Sequence, residues 1–368
     1  MRLLVLGLDT KVLDQTSATY KRIKHYADAL DWYEVVVPSK RRMKIVDGNL
    51  TVVGVGGFIK PIQLILLMYY AYRAIKKHNI SVVTSQDPYV LGLTAVFLGK
   101  LLKVGVEVQV HGFEKFNIVR REIAEHALHN ADVIRVVSKD LKKRIHSYFG
   151  IENAKIIVAP IFVDWKAIQY TEFDHRIKAA AKDHTVFLAV GRMVSVKNFE
   201  GIIRAFYHVH KEHPHTHLLL VGDGPLKPKL MGEVRELGIE DVVEFVGWVD
   251  SVIEYYRGSH CGIFFSESEG YGMALIEALA CQLPVITTKV GVAQDIVKDG
   301  VNGLFVDRDD VESLEKLMKL LVVNTEMREQ MKKQSRHCLE ELPTQDNIEK
   351  QYHRAWKKVE RATKRKRL

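Results

Sequence analysis

Cysteine is scarce in this sequence, with three residues in 368, at Cys261, Cys281 and Cys338. They are too few and too far apart along the chain for a disulfide framework or a four-ligand zinc site. A small disulfide-stapled secreted fold is therefore excluded, and the cysteines fit a reducing compartment. Hydrophobic residues make up 47% and charged residues 27%, which is typical of a soluble chain that buries a core.

Long apolar runs are also lacking. The most apolar stretch covers residues 58–77, and its uninterrupted part, residues 64–72, is only about half of the roughly 20 residues that a membrane span needs. We predict a helix packed on a sheet here; a helix that dips into a membrane surface is the alternative. The apolar run in the opening "MRLLVLGLDT" ends at Asp9, and no cleavage site follows it. We therefore predict a buried strand here rather than a signal peptide. We therefore expect a cytoplasmic location, with the inner face of the membrane as an alternative.

The charge balance favours anionic partners. Lys and Arg number 54 against 45 Asp and Glu, a net charge of +9. The basic segments "KRRMK" (40–44) and "KRKRL" (364–368) lack interleaved aromatic residues, which argues against nucleic acid. An anionic membrane surface or a lipid-linked acceptor fits these segments better, and a solvated charged tail is an equal alternative.

Short apolar runs alternate with helical patterns along the chain, and the series restarts near residue 185. This alternation predicts two α/β domains, each a Rossmann-like, doubly wound parallel sheet, facing each other across a cleft. We predict an N-terminal domain over 1–165, a C-terminal domain over 180–345, and a basic helix over 346–368 that crosses back to the first domain. The joint falls within residues 162–184, where strand patterning lapses. The predicted strands are 2–8, 33–38, 80–86, 104–112, 132–138 and 154–160 in the first series and 185–192, 216–224, 242–248, 261–268 and 283–289 in the second.

The stretch "SESEGYGMALIEALACQLPVITT" (266–288) places two acids where acids are unusual. Glu269 lies in a glycine-rich loop after the predicted strand, and Glu277 lies in the second turn of a helix that starts near Gly272. A helix N-terminus favours an anion, and glycines allow close approach to the backbone. Carboxylates accept hydrogen bonds from sugar hydroxyls. The pattern therefore suits a ligand with a phosphate centre and hydroxyl-rich rings. The alternatives are a charge at the helix start for Glu269 and a solvated helix face for Glu277.

Two further sites carry polar groups at strand ends. Arg192 and Lys197 follow the strand that ends at Gly191, where two cations can clamp a diphosphate. His111 ends a long apolar strand of the first domain. Solvated loop charges and a packed histidine are the respective alternatives.

The C-terminal half resembles the retaining glycosyltransferases of the GT-B fold, and among them glycosyltransferase family 4 (the glycosyl transferases group 1 domain). The segment that begins at Glu269 is similar to the Glu-x7-Glu motif of that family. "GR…KN" (191–198), "VGDGP" (221–225), "FVGWV" (245–249) and "DGVNGLFV" (299–306) fall in the family's order.

This resemblance implies transfer of a sugar from a nucleotide-sugar donor to a glycan or lipid-linked acceptor, with retention at the anomeric carbon. Arg192 and Lys197 would hold the diphosphate, Glu277 the ribose, and Glu269 the donor sugar. His111 would reach that sugar from the other domain. The implied donor-binding residues are Gly191, Arg192, Lys197, Val249, Glu269, Gly270, Tyr271, Gly272, Met273, Ala274 and Glu277, and the implied catalytic residues are His111, Arg192, Lys197 and Glu269.

We predict no cofactor and no metal requirement, because cations and a helix N-terminus can stabilise a departing diphosphate. The Asp-x-Asp within "DRDD" (307–310) precedes a helical pattern and is predicted to be a helix cap. Two alternatives to a glycosyltransferase stay open. One is a GT-B enzyme without a glycan acceptor, such as a nucleotide-sugar epimerase or a sugar-phosphate-forming synthase, and the other is a non-catalytic sugar-nucleotide-binding protein.

Overall fold

The computed structural model describes residues 1–112, 118–170 and 184–368. The chain forms two compact units. Unit 1 comprises Met1–Pro160 together with Asp346–Leu368, and unit 2 comprises Ile161–Gln345. The N-terminal segment of unit 1 thus ends at Pro160, whereas the sequence places the end of the N-terminal domain at residue 165. Most of the joint that the sequence places at 162–184 lies outside the described residues.

Unit 1 is built on one eight-stranded sheet with the order β3-β4-β2-β1-β5-β6-β7-β8. All neighbouring strands are parallel except β3 and β4, which form an antiparallel hairpin at the edge. Each strand that the sequence predicts for this unit forms, and the β3–β4 hairpin is additional. The strands are β1 Arg2–Leu6, β2 Trp32–Val37, β3 Arg42–Asp47, β4 Leu50–Val55, β5 Val82–Ser85, β6 Gly105–Val110, β7 Val133–Val136 and β8 Ile156–Val158.

The helices of unit 1 connect these strands. Side-chain caps fix two helix starts: Ser17 accepts a hydrogen bond from the Tyr20 amide, and Ser138 accepts one from the Leu141 amide. The helices are Ala18–Asp28, Lys60–His78, Val90–Leu102, Ile118–Asn130, Lys139–Phe149 and Gln345–Arg367, with short 3-10 turns at Thr10–Leu13 and Asn153–Lys155.

The last helix, Gln345–Arg367, is part of the core of unit 1. Trp356 and Val359 are buried with side chains of the central strands. The Thr363 hydroxyl accepts a hydrogen bond of 2.7 Å from the Gly105 amide and donates one of 2.5 Å to the Ser81 carbonyl. These contacts tie the helix to the starts of β5 and β6.

Unit 2 contains a six-stranded, all-parallel sheet with the order β11-β10-β9-β12-β13-β14. The chain winds outward from β9 in one direction and then returns to β12 on the other side. In such sheets ligands bind at the carboxyl edge, where the strand order reverses. The strands are β9 Thr185–Val190, β10 Thr216–Val221, β11 Val243–Gly247, β12 Cys261–Phe264, β13 Val285–Thr288 and β14 Gly303–Val306.

The helices of unit 2 enclose a core that includes Phe187, Phe206 and Phe265. Asp310 caps one helix by accepting a 2.9 Å hydrogen bond from the Ser313 amide, as predicted for the Asp-x-Asp segment. The three cysteines are all buried as free thiols. The helices are Trp165–Tyr170, Phe199–Glu212, Lys227–Leu237, Ile253–Gly258, Met273–Ala280, Ala293–Ile296, Val311–Val323 and Thr325–Gln334, with 3-10 turns at Ser195–Lys197 and His337–Glu341.

Within the described part of the chain, no helix is both long enough and apolar enough to cross a bilayer.

Candidate active site

The loops that follow β9 and β12 meet at the point where the strand order of unit 2 reverses. The first loop carries Gly191, Arg192 and the turn Ser195–Lys197, and the second runs from Phe265 to Gly272. The Glu267 amide donates a 2.9 Å hydrogen bond to the Val196 carbonyl, which joins the two loops through the backbone. The basic loop and the acidic loop that the sequence singles out are therefore neighbours.

A cation and a carboxylate are paired where these loops meet. Lys197 Nζ forms an ion pair and hydrogen bond with Glu269 Oε1. The Ser266 hydroxyl donates a 2.8 Å hydrogen bond to the same oxygen. Ser266 is itself held in place, because the Thr288 hydroxyl donates a buried 2.6 Å hydrogen bond to the Ser266 carbonyl. Ser266 and Thr288 were not predicted as site residues; the available signal was a hydroxyl residue close to the carboxyl end of each strand.

The second loop turns sharply into the helix Met273–Ala280. Gly272, directly before the helix, has φ +101°, a conformation that glycine adopts readily. The Val292 amide donates a 2.7 Å hydrogen bond to the Tyr271 carbonyl and fixes the turn. The first backbone N–H groups of the helix are thereby placed at the carboxyl edge of the sheet, where a helix favours an anion.

Glu277 lies in the second turn of this helix, as predicted, between the buried Ile276 and Ala278. The Tyr256 hydroxyl donates a 3.3 Å hydrogen bond to Glu277 Oε2. Burial raises the pKa of Glu277, and the hydrogen bond from Tyr256 partly opposes that rise. Tyr256 was not predicted, since this contact joins residues 21 positions apart.

A cavity of about 570 Å³ opens beside Glu277. Trp248 is 76% exposed and forms part of its wall. Four predicted donor residues line the cavity, whereas Lys197, Glu269 and residues 270–274 lie outside its lining. The lining residues are Val190, Gly191, Arg192, Val221, Gly222, Asp223, Gly224, Trp248, Val249, Val252 and Glu277.

His111 lies in unit 1, directly after β6. Its Nε2 lies 3.1 Å from Gln109 Oε1, and Gln109 in turn donates a 2.8 Å hydrogen bond to the Thr84 hydroxyl. Although part of its side chain is exposed, desolvation by the protein around it and repulsion from Arg135 lower the pKa of His111 to about 4. The imidazole is therefore neutral near pH 7. Its predicted contact with the donor sugar stays a prediction.

Two family models match this chain. The model described as "Glycosyltransferase Family 4" matches residues 33–166, and the one described as "Glycosyl transferases group 1" matches residues 171–337. The two matches together span most of the sequence. The chain belongs to the glycosyl transferases group 1 family.

Individual relatives of this glycosyl transferases group 1 member are distant. An uncharacterised glycosyltransferase of Methanocaldococcus jannaschii is 32% identical over 43% of this chain and 40% of that protein. This chain thus matches less than half of that relative's length. The alpha-monoglucosyldiacylglycerol synthase of Streptococcus pneumoniae is 24% identical over 85% of this chain and 71% of that protein.

A solved structure shows the fold. The Anabaena protein HepE, crystallised in complex with UDP-glucose, superposes with a TM-score of 0.76 at 16% identity, over 97% of this chain and 98% of HepE. This superposition confirms the predicted GT-B fold, and the two family models confirm the predicted family.

In this glycosyl transferases group 1 chain, the backbone of Gly222 packs directly against the backbone of Gly191. Its φ is +129°, and a Cβ atom there would lie 2.1 Å from the Gly191 carbonyl oxygen. We expect Gly222→Ala to lower the free energy of unfolding by about 2 kcal/mol or more, because neither backbone can move aside cheaply. Urea unfolding monitored by circular dichroism measures the change.

The matched control for Gly222→Ala is the same substitution at Gly232. Gly232 lies within the helix Lys227–Leu237, and a Cβ atom there would meet nothing within 4 Å. Gly232→Ala should raise stability by up to about 1 kcal/mol, because alanine is the better helix former. Equal effects of the two substitutions would contradict the packing argument.

Among the described residues, no group of three or more His, Cys, Asp or Glu side chains is arranged to hold a metal ion. The predicted metal independence is a statement about activity and stays a prediction.

Proposed function

We propose that this protein is a retaining glycosyltransferase that moves a sugar from a nucleotide-sugar donor to a glycan or lipid-linked acceptor without a metal ion. The observation that carries the proposal is the joined pair of loops at the strand reversal of unit 2. These loops place Lys197 and Glu269 in contact, with the start of the helix Met273–Ala280 at the end of the second loop.

Glu277 and the cavity beside it would hold the nucleoside. A half-buried carboxylate is a strong acceptor for two neighbouring ribose hydroxyls. The exposed ring of Trp248 and the apolar side chains of Val249 and Val252 offer a flat, apolar surface to a base. The same cavity reaches Gly191 and Arg192, so the diphosphate would leave the nucleoside pocket towards the basic loop.

Lys197 would exchange partners when the donor binds. In the structure its ammonium group is paired with Glu269. A diphosphate carries more negative charge than one carboxylate and would compete for Lys197 together with Arg192. Glu269 would remain fixed by Ser266 and become free to accept hydrogen bonds from sugar hydroxyls. Lys197 would thus be positioned before the donor arrives.

The reaction requires stabilisation of the departing diphosphate. The bond between the anomeric carbon and the diphosphate oxygen breaks, the acceptor oxygen bonds to that carbon on the same face, and the acceptor proton passes to the departing phosphate. Arg192, Lys197 and the N–H groups at Met273 and Ala274 would stabilise the developing negative charge. His111, which is neutral near pH 7, would donate a hydrogen bond to the sugar or accept one from it without adding charge to the site.

The uridine family is the first donor set to test, because HepE was crystallised with UDP-glucose. The S. pneumoniae relative is named as a glycolipid synthase, which supports a lipid-linked acceptor.

A thermal-shift panel of UDP-, GDP-, ADP-, dTDP- and CDP-sugars tests the donor site. One nucleotide family should raise the melting temperature, because a ligand that binds only the folded state stabilises it. Glu277→Ala should remove this shift. The exposed residue Glu240 supplies the matched control, since Glu240→Ala should leave the shift unchanged. No shift with any donor would contradict the proposed donor site.

The donor selected by the panel is then assayed with candidate acceptors, with and without EDTA. Retained anomeric configuration in the product and equal rates in EDTA support the full proposal. Turnover of the donor without an acceptor would support the epimerase or synthase reading, and binding without any turnover would support the non-catalytic reading. A rate lost in EDTA and restored by Mn²⁺ would refute metal independence.

A further inference from the structure

The helix Lys60–His78 in unit 1 is apolar on two opposite sides. Leu67 and Ile75 are buried against the sheet. Ile62, Ile65 and Tyr69 recur every three or four residues on the outer side, where they are exposed together with Tyr72. A surface helix of a water-soluble protein normally presents polar residues there.

The neighbouring helix Val90–Leu102 repeats this arrangement. Leu91 and Leu98 are buried, whereas Leu93, Phe97 and Leu101 are exposed on the opposite side together with Val90. The two helices are in contact and cover adjacent strands of one sheet. We call the exposed Ile62, Ile65, Tyr69, Tyr72, Val90, Leu93, Phe97 and Leu101 the apolar face.

The charges on these two helices are all of one sign. Neither helix contains Asp or Glu, and Arg73, Lys76, Lys77 and Lys100 cluster towards their carboxyl ends. Arg73 Nη1 donates a 3.3 Å hydrogen bond to the Tyr69 hydroxyl, so an aromatic side chain and a cation adjoin at the border of the apolar face. A second copy of this face would bring no carboxylates to these cations, whereas an anionic bilayer supplies phosphate groups.

We propose that the apolar face is a membrane-docking surface, which inserts its exposed side chains into the interfacial layer of an anionic bilayer. A contiguous exposed apolar patch on a soluble protein marks an interaction site. An apolar side bordered by tyrosine and basic residues is typical of helices that lie in the plane of the interface. No described helix is suited to span a bilayer, so the contact is peripheral.

The position of this surface suits a membrane-borne acceptor. The two helices begin after β4 and β5, at the carboxyl edge of the sheet of unit 1, and His111 lies at that same edge after β6. Ile62 and Val90 are therefore on the His111 side of the apolar face. The inference goes beyond the proposed function, because vesicle binding needs neither donor nor transfer.

Vesicle flotation without any donor tests the proposal. The full chain is mixed with vesicles of phosphatidylcholine alone or with phosphatidylglycerol added. We expect Ile65→Gln combined with Phe97→Gln to lower the partition coefficient about tenfold or more, because two side chains no longer enter the apolar layer. Arg73→Gln should lower binding about fivefold, and only with phosphatidylglycerol present.

The matched control is Met231→Gln combined with Val323→Gln. Both residues are apolar and exposed on helices of unit 2, at 42% and 68%. This pair should bind vesicles as the unaltered protein does. If the Ile65/Phe97 variant loses its helical circular dichroism, Ile62→Gln combined with Leu101→Gln replaces it.

Three results would overturn the proposal. The first is that the unaltered protein does not float with either kind of vesicle, or that the Ile65/Phe97 variant floats as well as the unaltered protein. The second is that Arg361→Gln with Arg365→Gln abolishes binding while the Ile65/Phe97 variant retains it, which would assign the contact to the last helix. The third is that sedimentation velocity without lipid finds a dimer that the Ile65/Phe97 variant loses, which would make the apolar face an interface between copies.

Discussion

Replacing Lys197 by alanine should lower kcat by about 10²–10³, the usual loss when one fixed donor to a developing negative charge is removed. The melting temperature should change little, because Glu269 keeps the hydrogen bond from Ser266 and is partly solvated. Steady-state rates at saturating donor measure the effect. They require the donor that the thermal-shift panel identifies.

Lys229 supplies the matched control for Lys197. It is an exposed lysine of unit 2 that also pairs with a glutamate, Glu200. Lys229→Ala should leave kcat unchanged, because it removes a more exposed ion pair that joins two helices and involves neither loop residue. A Lys197→Ala enzyme with normal kcat and a raised KM would mean that Lys197 binds the donor without stabilising the transition state.

Glu277→Gln should weaken donor binding about a hundredfold, because an uncharged amide replaces a carboxylate that accepts two hydroxyl hydrogen bonds. Removing a ribose hydroxyl from the donor lowers its affinity for the protein. This loss, relative to the complete donor, should be much smaller for the variant than for the unaltered protein. Isothermal titration calorimetry with both donors measures the two losses. Equal losses for the two proteins would place the ribose elsewhere.

The same carboxyl predicts a pH dependence. Burial raises the pKa of Glu277 above the 4.5 of an ordinary glutamate. The ionised form binds the ribose, so donor affinity should fall as the pH drops through that raised pKa. Glu277→Gln should lack this fall.

The stability of the protein should respond in the opposite direction. The folded state binds the Glu277 proton more tightly than the unfolded state, so ionising this buried carboxyl lowers the free energy of unfolding as the pH rises. Glu277→Gln should therefore unfold at a slightly higher temperature than the unaltered protein at pH 7. A variant that loses donor binding through misfolding would unfold at a lower temperature.

Most of the parallel strands were predictable because they are buried on both faces and read as continuous apolar runs. The parallel strand β14 was not among the predicted strands. The start of the helix Met273–Ala280 was also predictable, since Gly272 marks it. The β3–β4 hairpin was missed. β3 is an exposed edge strand, and its basic residues in "KRRMK" are typical of a charged surface segment, although "DG" at 47–48 is a hairpin signal.

The helix Val90–Leu102 is difficult to predict from the sequence for a different reason. Its outer side is apolar as well, so the sequence carries no alternation between polar and apolar faces. Contacts within the site were beyond prediction where they join distant residues. The hydrogen bonds from Tyr256 to Glu277 and from Thr288 to Ser266 depend on how separate strands pair, which no local pattern encodes.

The division of the chain into two units also sets the order in which these units can fold during synthesis on the ribosome. Unit 2 is one continuous segment, Ile161–Gln345, whereas unit 1 needs Asp346–Leu368 to complete its core. During synthesis domains fold as units once their residues have emerged. Unit 2 can therefore be finished while unit 1, although made first, still lacks Trp356 and Val359. The nascent N-terminal half is the later of the two to mature, and it is the half that a chaperone would need to shield.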